Sequence, residues 1–243
     1  MKVLIPILIG LVVVGCGKKA KQETAYSPPE VETKTRAKNQ ESFKEVPANI
    51  SNPIIEEAVR ESLKKPTGKL TEADLKKVWK LNIGNSKLTD VKDLKKLTQL
   101  EVLFIFNSKL TDVTGLEKLI KLETMILRGD LNAIPIGLEK LTQLKELDLR
   151  WNQLNNFRGL ENLANLTNLE ISDNQLTDVT GLEKLTKLKR LHLWRNNLAD
   201  VNGLEKMTQL ETLNLGGNNL TDVKGLEKLT QLTDLNLGNN PDL

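Results

Sequence analysis

Leu188-Lys189-Arg190-Leu191-His192-Leu193-Trp194-Arg195-Asn196 is the stretch whose reading decides the fold. Leu191 and Leu193 alternate with His192, the pattern of a short strand that sends two leucines to one face and the middle residue to the other. The position of Asn196 recurs every 22 residues, at Ser86, Ser108, Asp130, Asn152, Asn174, Asn196, Asn218 and Asn240, and paired apolar residues precede it each time, from Leu81/Ile83 to Leu235/Leu237. Between these strands the apolar residues fall at every third place, as in LTDVTGLEKLTKL from Leu176 to Leu188. A step of three on a helix turning about 100° per residue carries the leucines around the whole circumference, which excludes a long amphipathic helix. A self-similar period of this length is the mark of a solenoid. One such coil cannot bury enough surface to offset the entropy of ordering it, so the coils are stable only when stacked.

The LxxLxLxxN core resembles the leucine-rich repeat family, and the 22-residue form with LTDVxGLEKL resembles its bacterial internalin-type subclass. The resemblance implies an α/β solenoid: a leucine-rich repeat horseshoe with a parallel concave β-sheet, short 3₁₀ or irregular convex segments and a small helical N-terminal cap. Residues 81–243 form the repeat domain. Residues 50–80 form the cap, where NPIIEEAVRESLKK and LTEADLKKV read as two short helices and Thr71 with Asp74 as a helix start. Gly115, Gly137, Gly159, Gly181, Gly203 and Gly225 are expected to carry the tight turns, and the aligned asparagines to bind turn backbone. The Glu-Lys pairs after those glycines read as a solvated charged face. The coil from Asp130, with Pro135 in place of valine, is expected to bulge. Asn239-Asn240-Pro241-Asp242-Leu243 shows no recognisable C-terminal cap, unlike internalins.

The N-terminus is of another kind. Val3 to Val14 is an apolar run of 12 residues, too short for the ~20 that span a bilayer, and residues 1–15 read as a signal peptide. Val13-Val14-Gly15-Cys16 resembles the lipobox of bacterial lipoproteins, which implies cleavage before Cys16, lipidation of its thiol and a membrane anchor. Gly17, in place of Asp, resembles the sorting pattern for the outer membrane. Residues 16–49 are charged, carry Pro28-Pro29 and have no apolar period; they read as a disordered tether of about 30 Å as a coil and on the order of 110 Å stretched. Cys16 is the chain's one cysteine, so no disulfide forms within the chain.

The function must lie in residues that the repeat leaves free. Middle-of-strand and adjacent positions on the concave face hold Phe104, Phe106, Ile126, Arg128, Asp148, Arg150, Trp151, Glu170, His192, Trp194 and Arg195. Aromatics make up only 3% of the chain, so their gathering here, with arginine, points to an interface. These positions are expected to face outward with no packing duty. Glu170 and His192 pair across strands, but no serine or cysteine nucleophile stands beside them, and one histidine and one cysteine make no zinc site. The expectation is therefore no enzyme, no metal and no cofactor. The 35 basic and 32 acidic residues nearly cancel, without a basic run interleaved with aromatics, which disfavours nucleic acid. The expected role is a lipid-anchored envelope module that binds an unidentified protein, with a carbohydrate or peptidoglycan ligand or a purely structural spacer as alternatives.

Overall fold

A computed structural model describes residues 46–84, 87–108 and 110–243. The signal segment, Cys16 and the tether up to residue 45 lie outside the described residues. The tether's last part, residues 46–49, is not disordered as the sequence suggests but belongs to the cap, where Pro47 pairs antiparallel with Thr71 and buried Ala48 donates to the Leu70 carbonyl at 2.9 Å. The repeats form one eight-stranded parallel sheet in sequence order, an open leucine-rich repeat horseshoe. Its strands are β1 (Lys80–Gly84), β2 (Val102–Ser108), β3 (Thr124–Gly129), β4 (Glu146–Asp148), β5 (Asn168–Glu170), β6 (Arg190–His192), β7 (Thr212–Asn214) and β8 (Asp234–Asn236). Equivalent residues pair across every interface; Leu169 stands opposite Leu191 and Glu170 opposite His192. Behind the sheet the leucines at every third place are almost all fully buried, Leu176, Leu182, Leu185 and Leu188 among them.

Two helices cover the N-terminal end. α1 (Pro53–Leu63) starts at Asn52, whose side chain accepts from the amides of Ile54 and Ile55. α2 (Glu72–Leu75) starts with a reciprocal capping box between Thr71 and Asp74, as the sequence suggested. The Lys65 ammonium, hydrogen-bonded to Asp74, holds that carboxyl far below its usual range. Asp93 fastens this cap to the first coil by accepting from the amides of Ser51 and Asn52 at 2.7 and 2.8 Å.

Each return to the sheet is built by local hydrogen bonds. Gly137 has φ 93, and an added Cβ would lie 3.0 Å from the Thr114 amide nitrogen, so only glycine fits both the conformation and the space. The glutamate two places on is more than a solvated charge. Glu139 accepts from the Gly137 amide at 2.9 Å, and Glu161, Glu183 and Glu205 do the same in their own coils. This corrects the reading of the Glu-Lys segments as a bland face: the glutamate satisfies a turn amide that would otherwise have no partner. Short 3₁₀ helices follow at Lys92–Lys96, Leu116–Lys118, Leu138–Lys140, Leu204–Lys206 and Leu226–Lys228.

The asparagines act as the repeat implied. Asn174 accepts from the Leu154 amide of the previous coil at 3.0 Å and donates to the carbonyls of Leu149 and Ile171 at 3.0 and 3.1 Å. Asn152, Asn196, Asn218 and Asn240 repeat the arrangement. The coil from Asp130 keeps its register despite Pro135: Val113 donates to the Ile136 carbonyl at 2.8 Å and the 3₁₀ helix begins at Leu138. The irregularity lies just before it, where the β2–β3 pairing shifts between Phe106 and Ser108.

Candidate functional site

The strands deliver the selected side chains to one face, yet that face is no row of free side chains. Phe104, Ile126, Arg128 and Asp148 are buried, at 6, 5, 5 and 7% exposure. This overturns the expectation that concave residues have no packing duty. Strands about 4.8 Å apart let long side chains lie flat across their neighbours, so a position can face outward and still be covered. Lys80 Nζ sits 4.8 Å above the Phe104 ring, and Phe104 and Phe106 pack with centroids 6.2 Å apart.

From β3 to β6 a polar chain crosses the strands. Arg128 donates to both oxygens of Asp148, through Nη2 and, at 3.2 Å, through Nε. Arg150 reaches the same carboxylate at 2.8 to 3.2 Å. It also lies 3.8 Å from Glu170, which stands 3.3 Å from His192 Nδ1. Burial opposes ionisation of Asp148, but the two guanidiniums prevail and hold its carboxyl below the usual range. Glu170 receives less help: burial pushes its pKa up to about 7. Burial also lowers the His192 pKa, with Arg150 adding to the effect, and His192 Nε2 is enclosed without a protein hydrogen-bond partner. Near neutral pH Glu170 is thus partly protonated and His192 neutral, so the pair reads as a packed polar contact.

The accessible part of the face is narrower than the sequence indicated. Trp151 is 55% exposed, and the Arg195 side chain 62%. Phe106, Arg150, Glu170, His192 and Trp194 are partly buried. Trp151 stands between two guanidiniums, with Arg128 at 4.7 Å and Arg150 at 5.5 Å from its ring. Arg195 lies 4.7 Å over the Trp194 ring, with Nη1 3.6 Å from Asp173. Gly216 leaves room beside that ring, since a Cβ there would come within 3.1 Å of Trp194 Cδ1. Both indoles thus pack against guanidiniums of the same face. Sequence reasoning did not select Asp173, which pairs with Arg195; its place one strand away was the available signal. Among the described residues no group of three histidine, cysteine or acidic side chains is arranged to hold a metal ion, and no helix is long and apolar enough to cross a membrane.

A family model for leucine-rich repeats in two copies matches residues 164–206 and 208–242. No curated protein matches the sequence. Among solved structures, internalin C2 of Listeria monocytogenes is similar at 25% identity and TM-score 0.60, covering 82% of this chain and 100% of its own. A second internalin of that organism, inlF, is similar at 20% identity and TM-score 0.57, covering 81% and 85%. The leucine-rich repeat ectodomain of a plant membrane receptor kinase from Arabidopsis thaliana, solved in complex with CASPARIAN STRIP INTEGRITY FACTOR 2, is similar at 27% identity and TM-score 0.54, over 65% of this chain and 21% of that one. Repeat register, buried asparagines and these likenesses agree: the chain carries leucine-rich repeats and folds as a leucine-rich repeat horseshoe similar to the listerial internalins.

Proposed function

We propose that this chain is a bacterial envelope lipoprotein, anchored through Cys16, whose concave face binds another protein without catalysis. The observation that carries the reading is Trp151, more than half exposed although two guanidiniums pack against its ring. Rigid aromatic and arginine side chains at the centre of a surface are the usual energetic anchors of protein interfaces. Solenoids use their curved inner surfaces as extended binding sites, and the plant receptor similar to this chain was solved with a bound partner. The lipobox-like Val13-Val14-Gly15-Cys16 and Gly17 support an outer-membrane location, with the tether setting the module's reach.

A photoreactive aromatic residue at position 151 in the native host is expected to trap one protein partner, and pull-down of that partner by the chain with Trp151 intact is expected to be abolished by Trp151→Ala with Trp194→Ala while the circular dichroism is kept. Binding to a glycan array without a trapped protein would shift the reading to carbohydrate. Unchanged capture by the double variant would remove the concave face from the function. Fatty-acid labelling tests the anchor separately: label that survives Cys16→Ser overturns it.

A further inference from the structure

Of the two carboxyls in the polar chain from β3 to β6, only Asp148 is gripped. Arg128 donates to both of its oxygens, and Arg150 reaches it at 2.8 to 3.2 Å. Glu170 stands 3.8 Å from Arg150 Nε, beyond hydrogen-bond distance, although its side chain is only 21% exposed. A carboxylate so enclosed is costly unless donors reach it, whereas the neutral acid is not. The arrangement is that of a protonated Glu170, and the burial that pushes its pKa up to about 7 agrees with it.

Loss of that proton to solvent has one nearby remedy. Arg128 alone already serves both oxygens of Asp148, so Arg150 can leave that carboxylate without stranding it. His192 supplies no compensating charge. Its Nδ1 lies 3.3 Å from Glu170, but its Nε2 is enclosed without a hydrogen-bond partner, where an imidazolium would bury an unpaired N–H. Among the other charged groups facing the pair, Asp148 on β4 opposes ionisation of Glu170, Arg128 on β3 and Arg190 on β6 favour it through space, and Asp234 on β8 faces His192.

We propose that Glu170 is a proton-operated latch on the concave face: neutral, it leaves Arg150 on Asp148 and against the Trp151 ring; ionised, it takes Arg150 over and breaks both of those contacts. Arg150 is the moving part because it touches all three groups, at 2.8 Å from Asp148, 3.8 Å from Glu170 and 5.5 Å from the centre of the ring. Arg128, 4.7 Å from the ring, stays with Asp148 in both states, so Trp151 keeps one cation and loses the other. A local protonation thereby selects between two arrangements of the most exposed aromatic on this face. The consequence for binding rests on the concave face being the binding surface: a partner seated on Trp151 meets a ring held by two guanidiniums below about pH 7 and by one above it, and binds more tightly on the acid side.

The test is proton NMR of the full chain, reading the nuclear Overhauser contacts between the Arg150 side chain and the Trp151 ring from about pH 5 to about pH 9, a range that brackets the raised carboxyl. The contacts are expected at the acid end and are expected to be lost through a single-proton transition near pH 7. Glu170→Gln, which stays neutral at every pH, is expected to keep them throughout, with its melting temperature recorded as a check on folding. Contacts that persist in the wild type at the alkaline end overturn the latch, as does their loss in Glu170→Gln over the same range. No partner enters this measurement. A failed latch therefore leaves the concave reading standing, and failed capture at position 151 removes that reading without touching the latch.

Discussion

The first three strands and the last five solve the same problem differently. β1, β2 and β3 run for 5, 7 and 6 residues, while β4 to β8 run for three each. Asparagine ends the coils of β4 to β8, whereas Ser86, Ser108 and Asp130 end the earlier ones. The Leu149 carbonyl shows the reason: it accepts from the side-chain amides of both Asn152 and Asn174, at 2.8 and 3.0 Å, and so serves the turn instead of the ladder, while the Leu149 and Trp151 amides still donate across to the next coil. Without that amide, backbone groups find partners by continuing as strand. The concave surface changes along the same axis, from Phe104 and Phe106 on β2, through the arginine–carboxylate chain of β3 to β6, to Gly216 and Gly238 beyond β7 and β8.

The strongest break in this comparison is removal of one buried amide. Asn174→Ala leaves the Leu154 amide and the Leu149 and Ile171 carbonyls short of partners, and is expected to destabilise by about 2 to 4 kcal/mol in urea unfolding. Asp130→Ala, at an exposed position, is expected within about 0.5 kcal/mol. Equal effects would mean that the amides do not set the turns.

An intermediate effect comes from the charged middle. The Glu170 pKa is raised from 4.5 to about 7 by burial, among Asp148, Arg128, Arg150 and Arg190, with His192 alongside. The folded state therefore binds this proton more tightly than the unfolded chain. The stabilisation is complete below the unfolded value and is lost as pH rises through about 7. Glu170→Gln removes that loss, so the variant should gain on the wild type by on the order of 1–3 kcal/mol between pH 5 and pH 8. Parallel melting profiles across that range would show that burial does not control the carboxyl.

The smallest effect sharpens the contrast by extending the later pattern one coil. Asp130→Asn supplies a donor that the carboxylate lacks, and a gain of about 0.5 to 1 kcal/mol is expected, read as a rise of about 1–3 °C in melting temperature. A fall would show that the β2–β3 irregularity, more than the missing amide, governs where β3 ends.

The sequence by itself determined the coil length, the strand register, the glycine turns and the role of the asparagines. Each depends on a residue type recurring at one position, and stacked coils convert such recurrence directly into aligned contacts. It also showed which residues share the concave face, because alternation in Leu191-His192-Leu193 leaves one answer. Only the tertiary structure decided which of them a partner can reach. Alternation assigns a direction, while burial depends on where long side chains from neighbouring strands come to lie: Arg128, over Phe106 and Trp151, is covered, and Trp151 is not. The left-handed turn at Trp151 and Arg195 was likewise hidden at those two positions, although Asn107, Asp173, Gly217 and Asn239 in the same column carried its signature. What a column of turn-forming residues requires of the backbone is imposed on the coils stacked in register with it, Gly129 at the β2–β3 irregularity excepted, and there tryptophan and arginine adopt a conformation their own preferences oppose.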